Sequence, residues 1–128
     1  MTVECVVPIL RVARLEASVA YYVERLGFGV DWREGGTASV SRDGKAIMLC
    51  EGAQGNPGTW VWIGVDDAEA LHEELRALGA TIRRPPANFP WALELHVADP
   101  DGHVLRFGSE PLAGRAFDDW DQAGATSP

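Results

Sequence analysis

Apolar residues in this chain recur at two different spacings. Across residues 14–28, "RLEASVAYYVERLGF", Leu15, Val19, Tyr22, Val23 and Leu26 fall three and four apart, which places them on one face of a helix. Gly27 suits the left-handed conformation that ends such a helix. Residues 66–80, "DDAEALHEELRALGA", repeat the pattern with Ala68, Leu71, Leu75 and Leu78, and Gly79 is the stop. Asp66 followed three residues later by Glu69 resembles a capping box at the start of this second helix.

Elsewhere the period is two or the run is short and apolar, and strands are predicted. They are residues 3–12 ("VECVVPILRV"), 28–34 ("FGVDWRE"), 37–42 ("TASVSR"), 46–50 ("AIMLC"), 60–65 ("WVWIGV"), 80–84 ("ATIRR"), 92–97 ("ALELHV") and 103–107 ("HVLRF"). "RDGK" and "DPDG" read as turns, "EGAQGNPG" as a linker and "PPANFP" as a Pro-rich loop. The order is strand, helix and about three strands, given twice, with "RLGF" and "ALGA" in register at the helix exits. This predicts an α+β fold of two βαβββ modules: one domain over 1–110, module one about 3–51, linker 52–58 and module two about 59–109. In the tail, 110–128, Phe117 and Trp120 among acidic residues predict a short docked helix, and the final "AGATSP" is expected to be disordered.

On the fifth predicted strand Trp60 and Trp62 share one face, while Val61, Ile63 and Val65 share the other. One apolar face is enough for a core. The second face then serves packing, a subunit contact or a ligand.

Composition narrows the choice. The chain carries a net charge of −8, which argues against nucleic acid and anionic membranes and permits a cationic ligand. No apolar run approaches the roughly 20 residues of a membrane span. "MTVECVVPILRV" lacks the basic start of a signal peptide, so the expected location is the cytoplasm. Cys5 and Cys50 fit neither a metal spacing nor a redox pair and are expected to be buried thiols. There is no nucleophile elbow and no phosphate loop.

The two modules, with "LRV" before the first helix, "LGF" after it and "DPDGHVLRF" closing the second, resemble the vicinal oxygen chelate superfamily. That group includes glyoxalase I, extradiol dioxygenases, fosfomycin-resistance enzymes and bleomycin-resistance proteins. "VPIL", "WVW", "PW" at 90–91 followed by Glu94, and the "LRF" ending are most similar to the bleomycin-resistance branch. The resemblance implies a curved mixed sheet around a cleft. It places the superfamily's metal-ligand positions on Val7, Trp60, Arg106 and Met48 (Leu49 with a one-residue shift). None of these is a ligand for a divalent cation. His72 in mid-helix, expected to be exposed, His103 after a turn and His96 without a partner do not replace them. No metal and no cofactor are therefore expected.

With that register, Val7, Ile9, Met48, Cys50, Trp60, Trp62, Val104 and Arg106 point into the cleft, joined by Glu94 and His96 across the "DPDG" hairpin. Leu95, Val97, Leu105 and Phe107 then lie under the helices. Trp32 and Trp91 are candidates for further aromatic walls and Trp120 for the cleft mouth. Glu94, with Asp31 and Glu51, would supply negative charge, and Arg11 and Arg106 are expected to neutralise Glu94 or a neighbouring acid. Glu94 and His96, two apart on a strand, read as a structural pair rather than an acid/base couple, and no catalytic residue is assigned. The resemblance further implies a homodimer with interfacial clefts and an exchanged N-terminal strand, with which Pro8 agrees. The function it points to is metal-independent sequestration of a bulky, cationic, aromatic-bearing antibiotic of the bleomycin type. The alternatives are a glyoxalase-, lyase- or dioxygenase-like enzyme and a binding module for another small metabolite.

Overall fold

The structure, a computed structural model, describes residues 1–120. The chain forms two compact units, residues 1–59 with 99–103, and residues 60–98 with 104–120. Each contains a four-stranded mixed sheet and one helix, so the α+β reading and the doubled βαβββ order hold.

The first unit comprises β1 (Ile9–Arg11), α1 (Leu15–Glu24), β2 (Gly29–Glu34), β3 (Thr37–Arg42) and β4 (Lys45–Cys50), in sheet order β1-β4-β3-β2. The Asp43–Gly44 turn between β3 and β4 holds both residues at positive φ, which makes the tight hairpin possible. Leu15, Val19 and Tyr22 of α1 are buried with Leu10, Val40 and Leu49 of the sheet, as the helical spacing requires. The first turn of α1 has no side-chain cap at Arg14; instead the Leu15 N–H donates to Glu51 Oε2 at 2.6 Å. The 99–103 turn also belongs to this unit. There Asp101 accepts from Ala13 N–H and Ser18 Oγ, both at 2.7 Å, and Asp99 accepts from the Tyr22 hydroxyl at 2.9 Å. His103 is fully buried; its Nδ1 accepts from Thr59 N–H at 3.0 Å while Nε2 lies 2.6 Å from Arg11 O.

The second unit comprises β5 (Trp60–Gly64), α2 (Ala68–Leu78), β6 (Thr81–Asn88), β7 (Leu93–Ala98) and β8 (Val104–Ser109), in order β5-β8-β7-β6. β5 and β8 are parallel, with Trp62 opposite Arg106; β7 and β8 are antiparallel, with His96 opposite Arg106 and Leu95 opposite Phe107. Alternation then sends Leu95, Val97, Leu105 and Phe107 to the core, where α2 packs with its buried Ala68, Leu71 and Leu75. The opposite face carries Trp60, Trp62, Glu94, His96 and Arg106.

Several expectations are corrected. The first strand is only three residues long, residues 1–6 are exposed, and Cys5 with them, so only Cys50 is a buried thiol. Val7 precedes β1 rather than lying in it. β6 runs through Pro85 and Pro86, which the predicted loop excluded; it is an edge strand with two register shifts, where missing N–H donors are tolerated. The α2 cap is Asp67, whose Oδ1 accepts from Ala70 N–H at 3.0 Å, not Asp66. His72 is half-buried rather than exposed. Residues 111–120 contain no helix and run as an irregular strap; "AGATSP" lies outside the described residues. Among the described residues no helix is long and apolar enough to cross a membrane.

The cap assignment is testable. Asp67→Ala is expected to lower stability by about 1 kcal/mol, the usual cost of a lost N-cap, and Asp66→Ala by less than about 0.5 kcal/mol, both read by urea denaturation.

Candidate functional site

The second unit turns a fully buried carboxylate toward its aromatic face. Glu94 is on β7, flanked by core residues Leu93 and Leu95, and its own position faces away from α2. A carboxylate stripped of water needs replacement donors. Arg106 binds side-on, Nε to Oε1 at 2.9 Å and Nη2 to Oε2 at 3.2 Å. The indole N–H groups of Trp91 and Trp62 donate to Oε2 at 2.8 and 3.1 Å. His96 Nε2 lies 3.4 Å from Oε1. Burial pushes the Glu94 carboxyl up, but the hydrogen bonds from Arg106, Trp62 and Trp91 and the Arg106 charge outweigh it and hold the group below its ordinary value. Glu94 is therefore ionised. His96, fully buried, moves down: desolvation is the main cause, and together with the charges of Arg106 and Arg84 it outdoes the pull of Glu94.

The rings these bonds hold are not core residues. Trp62 and Trp91 keep 53% and 51% of their surface exposed, so the carboxylate fixes their polar edges and leaves faces open, and Trp60 beside them keeps 41%. Trp62 lies flat across β8 because Gly108 has no side chain. A Cβ there would sit 2.7 Å from Trp62 Cζ2, and one at Gly64 would sit 3.1 Å from Cζ3. Trp91 stacks on Phe89 at 4.9 Å with planes 7° apart, and Trp60 meets His96 edge-on at 5.5 Å. On β6, the register shift between Ile82 and Arg84 brings two consecutive arginines to this side: Arg83 lies over Trp60 at 5.4 Å, and Arg84 pairs opposite His96 and lies over Phe89 at 5.1 Å.

Of the sequence-derived candidates, Trp60, Trp62, Trp91, Glu94, His96 and Arg106 come together here. Met48 on β4 and Trp32 on β2 belong to the first unit, where Met48 is half-buried and Trp32 exposed. The other charges expected in the cleft have different partners. Asp31 accepts from the Ser39 and Ser41 hydroxyls, Glu51 holds the start of α1, and Arg11 donates to Ala53 O at 2.8 Å. Arg106 alone takes the neutralising role foreseen for Arg11 and Arg106. Arg83, Arg84, Phe89 and Gly108 were not singled out by sequence. Adjacent arginines on a strand imply opposite faces, and only the register shift, invisible in the pattern, makes them neighbours.

A divalent cation does not fit this face. Trp60 offers no lone pair and Arg106 is a fixed cation, while the carboxylate oxygens of Glu94 are already taken by N–H donors. Among the described residues no group of three or more His, Cys, Asp or Glu side chains is placed to hold a metal ion.

The lowered Glu94 carboxyl has a consequence for acid stability. A depressed carboxyl contributes stability above the ordinary glutamate value of 4.5, and that contribution is lost as pH falls through the lower folded value. Glu94→Gln is expected to cost about 1–3 kcal/mol at neutral pH, by leaving Arg106 without its charge partner, and to flatten the acid limb of a stability–pH profile. Gly108→Ala is expected to lift the Trp62 ring and break its bond to Glu94, seen as loss or a large shift of one indole N–H resonance with the fold retained.

Comparison with solved structures returns the same architecture. The bleomycin-binding protein from bleomycin-producing Streptomyces verticillus, solved with copper(II)-bleomycin, is 26% identical over 85% of this chain and 98% of its own, with a TM-score of 0.75. TnmS3, an antibiotic-binding protein from Streptomyces sp. CB03234, is 22% identical over 87% and 98%, also with a TM-score of 0.75. The bleomycin resistance determinant encoded on the transposon Tn5 is 22% identical over 86% and 100%, with a TM-score of 0.74. No curated protein sequence matches. The family model for the glyoxalase/bleomycin resistance protein/dioxygenase superfamily matches residues 3–107, and the chain belongs to that superfamily.

Proposed function

We propose that this protein binds a bulky, aromatic-bearing antibiotic of the bleomycin type and sequesters it without chemical change. The observation that carries this reading is the set of half-exposed tryptophans, Trp60, Trp62 and Trp91, two of them pinned by their N–H groups to one buried carboxylate. Pinned rings lose little freedom when a planar heteroaromatic group stacks on them, so binding costs less entropy. The net charge of −8 favours approach of a ligand with a cationic portion. The bleomycin-binding neighbour that shares the fold supports the same ligand class. Sequestration needs no metal, consistent with Trp60 and Arg106 at superfamily ligand positions.

The working form in this reading is a cytoplasmic homodimer whose N-terminal strand is exchanged. The exposed apolar Val3 and Val6 in a segment that forms no strand of its own support this. Trp32 and Met48 would then add to the cleft.

Calorimetric titration with metal-free and copper(II)-bleomycin, with tryptophan fluorescence in parallel, tests the proposal. Submicromolar binding at one ligand per chain with quenching is expected. Trp60→Ala and Trp62→Ala should each weaken binding at least about tenfold, roughly 1.4 kcal/mol, with the fold intact by circular dichroism. No binding at high micromolar ligand overturns the bleomycin assignment, and unfolding of both variants overturns the platform role of the rings.

A further inference from the structure

The strap that follows β8 lies beyond the residues 3–107 matched by the family model, and it places a fourth tryptophan on the same face. Asn88, fully buried at the end of β6, anchors it twice. Its side chain accepts from Leu112 N–H at 2.8 Å and donates to Leu112 O at 3.3 Å. Its backbone N–H donates to Asp118 Oδ2, and its carbonyl accepts from Asp118 N–H, both at 2.7 Å. Two residues on, the Trp120 ring meets Phe89, Trp91 and His96 edge-on at 5.4, 5.8 and 6.0 Å. The guanidinium groups of Arg106 and Arg84 lie over it at 5.1 and 5.7 Å.

Two details set this ring apart from the core residues. Trp120 keeps 36% of its surface exposed, and the strap around it has neither helix nor strand, with Phe117 mostly in solvent. Beneath it, His96 Nδ1 is buried without a hydrogen-bond partner among the described residues. Nε2 faces the Glu94 carboxylate and so carries the proton, which leaves Nδ1 as an acceptor that the indole, in edge contact, does not satisfy. A buried acceptor without a donor costs free energy that a better-matched occupant recovers.

We propose that Trp120 is an internal ligand. It fills the place beside His96 that the guanidinium groups of Arg84 and Arg106 overlie in the free protein, and the true ligand displaces it by inserting a planar, electron-rich aromatic group whose own O–H or N–H reaches His96 Nδ1. The inference rests on the reading of this face as a ligand platform and adds the chemistry of one portion of the ligand. It also makes the strap a built-in competitor: apparent affinity is reduced to the extent that this place is occupied.

The test uses the full-length chain and a hydroxynaphthalenesulfonate, a planar aromatic with an O–H donor and a negative charge suited to the two guanidinium groups. Calorimetric titrations compare the wild type with Trp120→Ala, which removes the occupant, and Asp118→Ala, which loosens its anchor. Both variants are expected to bind the probe about five- to tenfold more tightly, as relief of a mostly occupied place requires. Weaker or equal binding by Trp120→Ala overturns the proposal and makes Trp120 a wall of the site, as does failure of all three chains to bind the probe. If both variants tighten while bleomycin fails to bind the wild type, the internal-ligand inference stands and the bleomycin assignment falls. If bleomycin binds and neither variant gains affinity for the probe, the bleomycin assignment stands and the internal-ligand inference falls.

Discussion

The buried carboxylate of Glu94 is the group on which the exposed face of the second sheet depends. An ionised side chain removed from water is tolerated only when charge and hydrogen bonds replace its hydration. Here that replacement comes from Arg106 on the neighbouring strand and from two indole N–H groups reaching in from β5 and from the loop before β7. The same contacts that satisfy the acid immobilise the rings. Stability of the ion and order of the aromatic platform are therefore one property.

A strand with a complete apolar face carries two tryptophans on its other face because that face is built around the acid. Val61 and Ile63 lie on the core side, while Trp60 and Trp62 rest on the other side against His96 and over the bare backbone of Gly108. The glycine matters as much as the ring: only a residue without Cβ lets the indole settle close enough to reach Glu94. Arginines and Trp120 then frame the platform, so the face is a partly exposed aromatic surface with fixed polar edges.

Much of the fold could be read from spacing alone. Leu71 and Leu75 announce α2, and alternation in "ALELHV" paired across "DPDG" puts Glu94 and His96 beside Arg106, because strand periodicity allows no other sorting. Contacts set by three-dimensional approach could not be read. The choice of Asp67 over Asp66 as cap depends on one peptide's orientation. The run of β6 through two prolines depends on its place at the sheet edge, and the meeting of Arg83 with Trp60 depends on a register shift. Trp120 was legible as an aromatic in an acidic tail and a candidate for the cleft mouth, but its contacts with Phe89, Trp91 and His96 were not. The expected helix gave way to a strap because Asn88 offers backbone and side-chain partners that fix the chain in an irregular path.

In the proposed reading, Glu94 organises this face for ligand rather than merely for stability. That central claim is tested most directly by calorimetric titration of metal-free bleomycin into wild type and Glu94→Gln under conditions where both are folded. The expected result is submicromolar binding by the wild type and at least about a tenfold loss in the variant, because rings released from the carboxylate must be ordered again on binding. Equal affinity in the two proteins would contradict it.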